Sequence, residues 1–324
     1  MRFPPLLILL LFLLAVPHPA NAQQRATISM GSGAFGLPLT SAQQIGAFKQ
    51  NGIDLEISHH GKGAKAMAEF LAKGYDFGWT SGLPITKAAF DHDGFCLLAS
   101  LGSTGKLFEV WADRGKGITT VGDLRGKRIG VTGRGRGSDY YLYALLLKNG
   151  IEISEVEVVP MKRKELPAAL SKSEVDAVSE QPSRMREASE VLGGDLVVFA
   201  DDTVFLRHVF LLARKDFVRA NPDLAVAMLR SLDQGIQHLR DNPGRAVDFI
   251  SAKLDLDPRK VRELMEDTDY RLSLDQSLYP TMENYAQWLI QTGVVKRGPL
   301  PDFTNIFCPD PLMSIDPGRV TIIH

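Results

Sequence analysis

Gly133-Arg134-Gly135-Arg136-Gly137-Ser138 alternates glycines with two arginines, and it lies between the strand-like Ile129-Gly130-Val131 and an amphipathic stretch that reads as a helix. The first amides of a helix lack intrahelical acceptors and sit at the positive end of its dipole, so a loop that delivers them into open space favours an anion. A guanidinium is a planar donor fork matched to carboxylate, sulfonate or phosphate. Arg134 and Arg136 share a face if the loop is extended, and at least one is expected to meet a ligand, together with backbone groups of Gly137 and Ser138. Ser138 reads as the N-cap of the helix. The competing reading makes both arginines solvated loop residues. Because glycine-flanked surface arginines have little packing to lose, their removal is expected to leave fold stability nearly unchanged.

The same chemistry recurs earlier in the chain. Lys62, Gly63 and Ala64 open a second helix directly after a strand-like run, and Thr80 and Ser81 end another. Those hydroxyls either face a ligand or cap the helix that follows. Phe35, Gly36 and Leu37 follow the first strand and are candidates for an apolar floor, with Trp79 and Tyr140 as walls or core. Arg207 and His208 precede the strand-like Val209–Ala213 and either reach the same cleft or lie on a hinge surface. No nucleophile elbow, zinc-helix motif or phosphate-cradling lysine loop is present, so no catalytic residue or cofactor is expected. His59-His60 and Asp91-His92-Asp93 have no spacing that brings them together, and no metal is expected. With 37 basic and 38 acidic residues the chain lacks the cationic excess of a nucleic-acid binder.

These residues need a scaffold of alternating strands and helices. Ala26–Met30, Ile53–Ile57 and Tyr75–Thr80 read as strands, each followed by a glycine-containing loop and a helix; the second helix runs to Leu71, with Gly74 as its stop. That order predicts an α/β fold with a largely parallel sheet, whose C-terminal strand edge is the ligand edge. Phe108–Ala112 reads as a strand leaving the first lobe. A second series has strands near Ile129, Val156 and Ala177, and Val209–Ala213 returns the chain. Asn221-Pro222 is an N-cap and N1 pair for a long helix striped by Leu224, Met228, Leu232 and Ile236.

At Val121-Gly122-Asp123-Leu124-Arg125-Gly126-Lys127-Arg128-Ile129-Gly130-Val131 the chain resembles the solute-binding proteins of ABC importers for nitrate, taurine, aliphatic sulfonates and thiamine precursors, the NMT1/THI5-like group. Further points of resemblance are Gly74–Ile85 and Ser173–Pro182, and the likeness runs from Ala26 to Thr292. It implies a type II periplasmic-binding-protein fold: two α/β lobes joined by a two-strand hinge, lobe one from residues 23–112 plus 205–292, lobe two from 113–204, and a tail, 293–324, on lobe one. It implies a monomeric receptor that closes on a small anion and delivers it to an ABC permease and its ATPase. Relatives hold their anion with backbone amides at the position of Gly61–Ala64. Where they often carry Gly-Asp, this chain has Thr80-Ser81, which removes a negative charge. Where many have a W-D-P type segment, it has Glu180-Gln181-Pro182, a departure that puts the relatives' ligand contacts in doubt there. Two other roles share the fold: an enzyme like the thiamine-pyrimidine synthases, whose cysteine cluster this chain lacks, and a sensor subunit of a membrane signalling system.

The N-terminus agrees with export. Arg2, the apolar run Leu6–Val16 and Ala20-Asn21-Ala22 form the pattern of a signal peptide over residues 1–22, cleaved after Ala22 to release a periplasmic protein. No later segment is apolar enough to span a bilayer. Of the two cysteines, Cys96 lies in Phe95–Ala99 and reads as a small buried hydrophobe; a disulfide with Cys308 is open to an oxidising compartment.

Overall fold

The computed structural model describes residues 23–31, 36–192 and 195–323. The predicted signal segment and Phe35 lie outside them. The chain begins β1 (Gln24–Gly31), α1 (Leu37–Gln44), α2 (Ala47–Gln50), β2 (Ile53–His60), α3 (Gly63–Lys73), β3 (Phe77–Ser81), α4 (Gly82–Ala89) and β4 (Phe95–Thr104). It continues with β5 (Glu109–Asp113), β6 (Arg128–Val131), α5 (Gly137–Lys148), β7 (Glu157–Pro160), α6 (Leu166–Ser171), β8 (Ala177–Glu180), α7 (Pro182–Leu192) and β9 (Leu196–Phe199). β10 (Arg207–Arg214) is followed by α8 (Lys215–Ala220), α9 (Pro222–Asp241), α10 (Pro243–Leu254), α11 (Pro258–Glu266), α12 (Leu278–Gln291) and α13 (Asp310–Met313).

Two five-stranded sheets result, in the orders β2-β1-β3-β10-β4 and β7-β6-β8-β5-β9. β1 pairs in parallel with β2 and β3, and β6 with β7 and β8, as βα units require. The exceptions are β10, antiparallel to β3 and β4, and β5, antiparallel to β8 and β9. Each is the first strand laid down after the chain changes sheets, so the segments 105–108 and 200–206 are the two crossovers. They press together: a Cβ on Gly105 would lie 1.9 Å from the Asp202 carbonyl oxygen, a separation that only glycine permits. On one side the two sheet units also meet through aromatic rings. Tyr140 of α5 packs edge-on against Tyr285 and Trp288 of α12, at centroid separations of 4.8 and 5.1 Å, and against Phe205 at 5.0 Å.

Local signals explain most elements. α3 ends at Gly74 in the left-handed region, φ 67°, where a Cβ is unfavourable. α9 opens with Pro222 at N1 and buries Leu224, Met228, Leu232 and Ile236 as one stripe. Asn221 supplies no side-chain cap to α9; its Nδ2 donates back to Phe217 O of α8 at 3.1 Å. β2 extends through His59 and His60, which therefore belong to the strand rather than follow it. Trp79 and Tyr140 are buried. Among the described residues no helix is long and apolar enough to cross a membrane.

The tail corrects the reading of Cys96 as a simple hydrophobe: Cys96 and Cys308 form a disulfide with a Cα–Cα distance of 5.6 Å. The segment around Phe307 runs beside β4, an edge strand of its sheet, with Cys308 N–H donating to Leu97 O at 3.0 Å. A covered edge cannot recruit another chain.

His208 of β10 is buried, with Nδ1 3.1 Å from Ser100 Oγ of β4. Burial pushes its pKa down to about 4, Asp275 opposing and Arg271 reinforcing the shift. The unfolded chain, with an ordinary imidazole near ~6.5, then binds more protons than the native state between those values, so stability rises with pH across this window and is full above it. From about pH 7 to about pH 5 the His208 contribution should fall by about 2 kcal/mol. Urea unfolding at both pH values checks this: His208→Gln should lose distinctly less over the interval, and equal losses would contradict it.

Candidate functional site

The C-terminal edge of the first sheet brings three features together. Gly31 ends β1 beside the first amide of α3: a Cβ on Gly31 would lie 3.1 Å from Gly63 N. A Cβ on Gly63 would lie 2.6 Å from Thr80 Oγ1, so a bare α-carbon is what lets the end of β3 approach the helix start. Lys62, extended at the N-cap, makes no side-chain hydrogen bond to the α3 amides and is exposed, as is Ala64. Thr80 is 4% exposed, yet its hydroxyl has no hydrogen-bond partner among the described residues. A buried polar atom without a partner costs about 1–3 kcal/mol, which a hydrogen-bonding ligand at this position would offset.

Ser81 stands at the N-cap of α4, also without a side-chain cap bond, and its backbone pairs with Val209. Arg207 lies two residues before Val209 on β10, hence on the same sheet face as Ser81 and just beyond the end of β3. Burial lowers the Arg207 guanidinium to about 10, Tyr285 acting in the opposite sense and the Arg163 charge adding to the fall. It remains cationic at neutral pH. Two uncapped helix starts and this arginine give the edge a positive electrostatic character.

The loop before α5 differs from the sequence expectation. Arg134 Nη1 is 2.7 Å from Asp139 Oδ1, and Gly135 N–H donates to Asp139 Oδ2 at 2.8 Å. Arg136 Nη1 donates to Thr132 O at 3.0 Å. Neither side chain is the unengaged loop arginine that glycine flanking suggested. Ser138 is not the N-cap: Arg136 holds that place, and Ser138 lies inside α5, fully buried, accepting from Thr132 N–H and 2.7 Å from Thr132 Oγ1. Ser179 Oγ donates to the Ser138 carbonyl at 2.9 Å, which locks the first turn of α5 to β8. Gly137 is the first residue of α5, which no side chain caps. Leu37 is fully buried in α1 and belongs to the core rather than to a pocket floor; Gly36, also buried, precedes that helix.

Glu180, at the end of β8, is 1% exposed and engaged on both oxygens: Arg163 Nε donates to Oε2 at 3.0 Å and Gln181 N–H to Oε1 at 2.8 Å. Arg163 and Asp139 were missed by sequence reasoning. The signal for Arg163 was present in the basic run Lys162-Arg163-Lys164 just past a strand end. Among the described residues no group of three or more His, Cys, Asp and Glu could hold a metal ion.

Residues 36–246 match the family described as NMT1/THI5 like. The chain belongs to this family. A relative in Brucella abortus (strain 2308), named as a candidate binding protein, is 22% identical over 273 residues, 81% of this chain and 84% of the relative. Among solved structures, the periplasmic aliphatic sulphonate binding protein SsuA from Escherichia coli superposes with a TM-score of 0.73 at 16% identity, covering 88% of this chain and 97% of SsuA. A periplasmic sulfonate-binding SsuA from Methylobacillus flagellatus KT gives 0.73 at 18% identity, covering 90% and 94%. At such identities the likeness establishes the fold, that of the periplasmic binding proteins.

Proposed function

We propose that this family member is a periplasmic receptor for a small organic or inorganic anion, which it delivers to an ABC permease. The observation that carries the reading is the partnerless Thr80 hydroxyl, buried at the start of α3 and on the same sheet edge as Arg207. An anion placed there would be held by the α3 amides around Gly63, by Thr80 and Ser81, and by Arg207. A helix N-terminus contributes up to about 2 kcal/mol and each charge-assisted hydrogen bond about 1.5–3, enough together for the roughly 8 kcal/mol of micromolar binding. No covalent step is needed. The names of two structural neighbours, an aliphatic sulphonate binding protein and a sulfonate-binding protein of a sulfonate ABC transporter, support this class of ligand. The disulfide fits an oxidising compartment. The lobes in this reading are residues 23–112 plus 205–292 and residues 113–204, with the paired crossovers as hinge and the tail on lobe one.

Thermal shift and calorimetry with methanesulfonate, butanesulfonate, nitrate and benzoate test it. A bound anion at a hundred times its Kd should add about 2.7 kcal/mol of stability. Gly63→Val, which puts a side chain against Thr80 Oγ1, should abolish that shift. A folded wild-type protein indifferent to the whole panel, or a Gly63→Val variant that binds as well as wild type, would count against the site.

A further inference from the structure

Between the α8–α9 turn and the tail lies a cavity of about 390 Å³. β10 runs from Arg207, at the anion edge, to Arg214, roughly 25 Å of strand, and α8 follows at once, so the cavity lies at the opposite edge of the first sheet. Its volume falls within the range of about 300–1,000 Å³ typical of small-molecule sites. Val218 of α8, Val226 of α9 and Phe307 of the tail supply apolar lining. Pro222, Pro309 and Pro311 add to it, and Cys308 joins them through its bond to Cys96. Proline rings and a disulfide have no free rotor with which to fill a neighbouring void, so the hollow stays open although empty apolar space forgoes dispersion contacts.

Two cations complete the lining. Lys215, half-buried, and Arg219, exposed, stand four residues apart on α8 and hence on one face of it. Among the described residues neither side chain enters a hydrogen bond or an ion pair. The acids beside them are engaged elsewhere: Asp216 pairs with Arg214, and Asp302, which the Lys215 charge reaches, accepts from Thr304 and Asn305. Asp310 is the acid among the described lining residues, so the lining sets two positive charges against one negative. An apolar hollow with an excess of unpaired cationic donors suits a molecule that is apolar along its body and anionic at one end.

We propose that this cavity is a second binding site, for an amphipathic acid: one carboxylate or sulfonate on an apolar chain, the head held by Lys215 and Arg219 and the chain covering Val218, Val226 and Phe307. Such a molecule pairs the cations and fills the void together. An inorganic anion does only the first, and a neutral hydrocarbon only the second. The site is independent of the receptor reading, since no residue of the α3 edge lines it.

Octanoate is the probe, with octanol as its neutral counterpart, and calorimetry the measurement. The Gly63→Val variant, its α3 edge obstructed, should still bind octanoate, and octanol at least about tenfold more weakly. Each buried methylene is worth about fourfold, so hexanoate should bind roughly tenfold more weakly than octanoate. In that background Lys215→Gln with Arg219→Gln should weaken octanoate by at least about tenfold, and Asp310→Asn, which removes a repelling charge, should tighten it. Val226→Trp, which fills the hollow, should abolish octanoate binding; in otherwise wild-type protein it should remove one equivalent of bound octanoate. Melting temperatures establish that each variant is folded. A folded wild-type protein that binds no octanoate, a Val226→Trp variant that binds as its parent does, or octanol binding as tightly as octanoate overturns the proposal. None of these outcomes bears on anion binding at the α3 edge, whose failure would in turn leave the loss of one octanoate in Val226→Trp unchanged.

Discussion

Arg134→Ala should destabilise the fold by about 3 kcal/mol, although the residue sits in a glycine-rich loop. Its guanidinium is the cationic partner of Asp139, whose side chain is 1% exposed. Burial raises the Asp139 carboxyl above the usual range, against the opposing pull of Gly135 N–H and then of Arg134. Truncating the arginine leaves a buried carboxylate with one backbone donor, and breaking such a pair from one side costs about 3–5 kcal/mol; the lower figure applies because Arg134 is itself a third exposed. The sign of the pH dependence follows. A carboxyl whose folded pKa is raised favours the protonated native state, so the deficit of Arg134→Ala should shrink as pH falls towards the carboxylate range. Arg134→Ala combined with Asp139→Asn should recover most of the loss. Denaturant unfolding of the two single variants and the double one measures this, and additive losses would show that the pair is not coupled.

Loss of the disulfide is the other large effect. Cys96 and Cys308 are separated by 212 residues, so the bond closes most of the chain into one loop. Chain entropy puts the stabilisation at about 5 kcal/mol, and removal of native disulfides costs about 2–5. At roughly 2–4 °C per kcal/mol for a chain of this size, Cys96→Ser with Cys308→Ser should melt roughly 10 °C below wild type. Dithiothreitol should bring the wild-type protein down to the same temperature. A double variant within a degree or two of wild type would mean that the contacts of the tail with β4, including Cys308 N–H to Leu97 O, hold it without the covalent bond.

The alternation of strands and helices and the glycines at strand ends were legible because they depend on neighbours within one turn or one strand. Gly74 ends α3 and Pro222 opens α9 for reasons internal to a few residues. β4 was hidden because Phe95–Thr104 is buried along nearly its whole length, and a continuous apolar run carries no period. β9, the continuous apolar run Leu196–Phe199, carries no period either. Of the candidate site, Gly63, Thr80, Ser81 and Arg207 were named from their positions at element ends, while Arg163 was not.

By itself the sequence determined that the chain builds βα units whose glycine loops and helix starts gather at strand C-termini, since periodicity, caps and turns act over short distances. Which charges pair with one another and which lie at the edge of the first sheet was decided only by the tertiary structure. Arg134 turns to Asp139 because Gly133 and Gly135 take φ values of 122° and 73°, conformations that glycine leaves equally open and that packing selects. Arg207 reaches the end of β3 only because β10 returns from the second sheet and inserts antiparallel between β3 and β4. The choice of partner across that distance belongs to the whole packed chain.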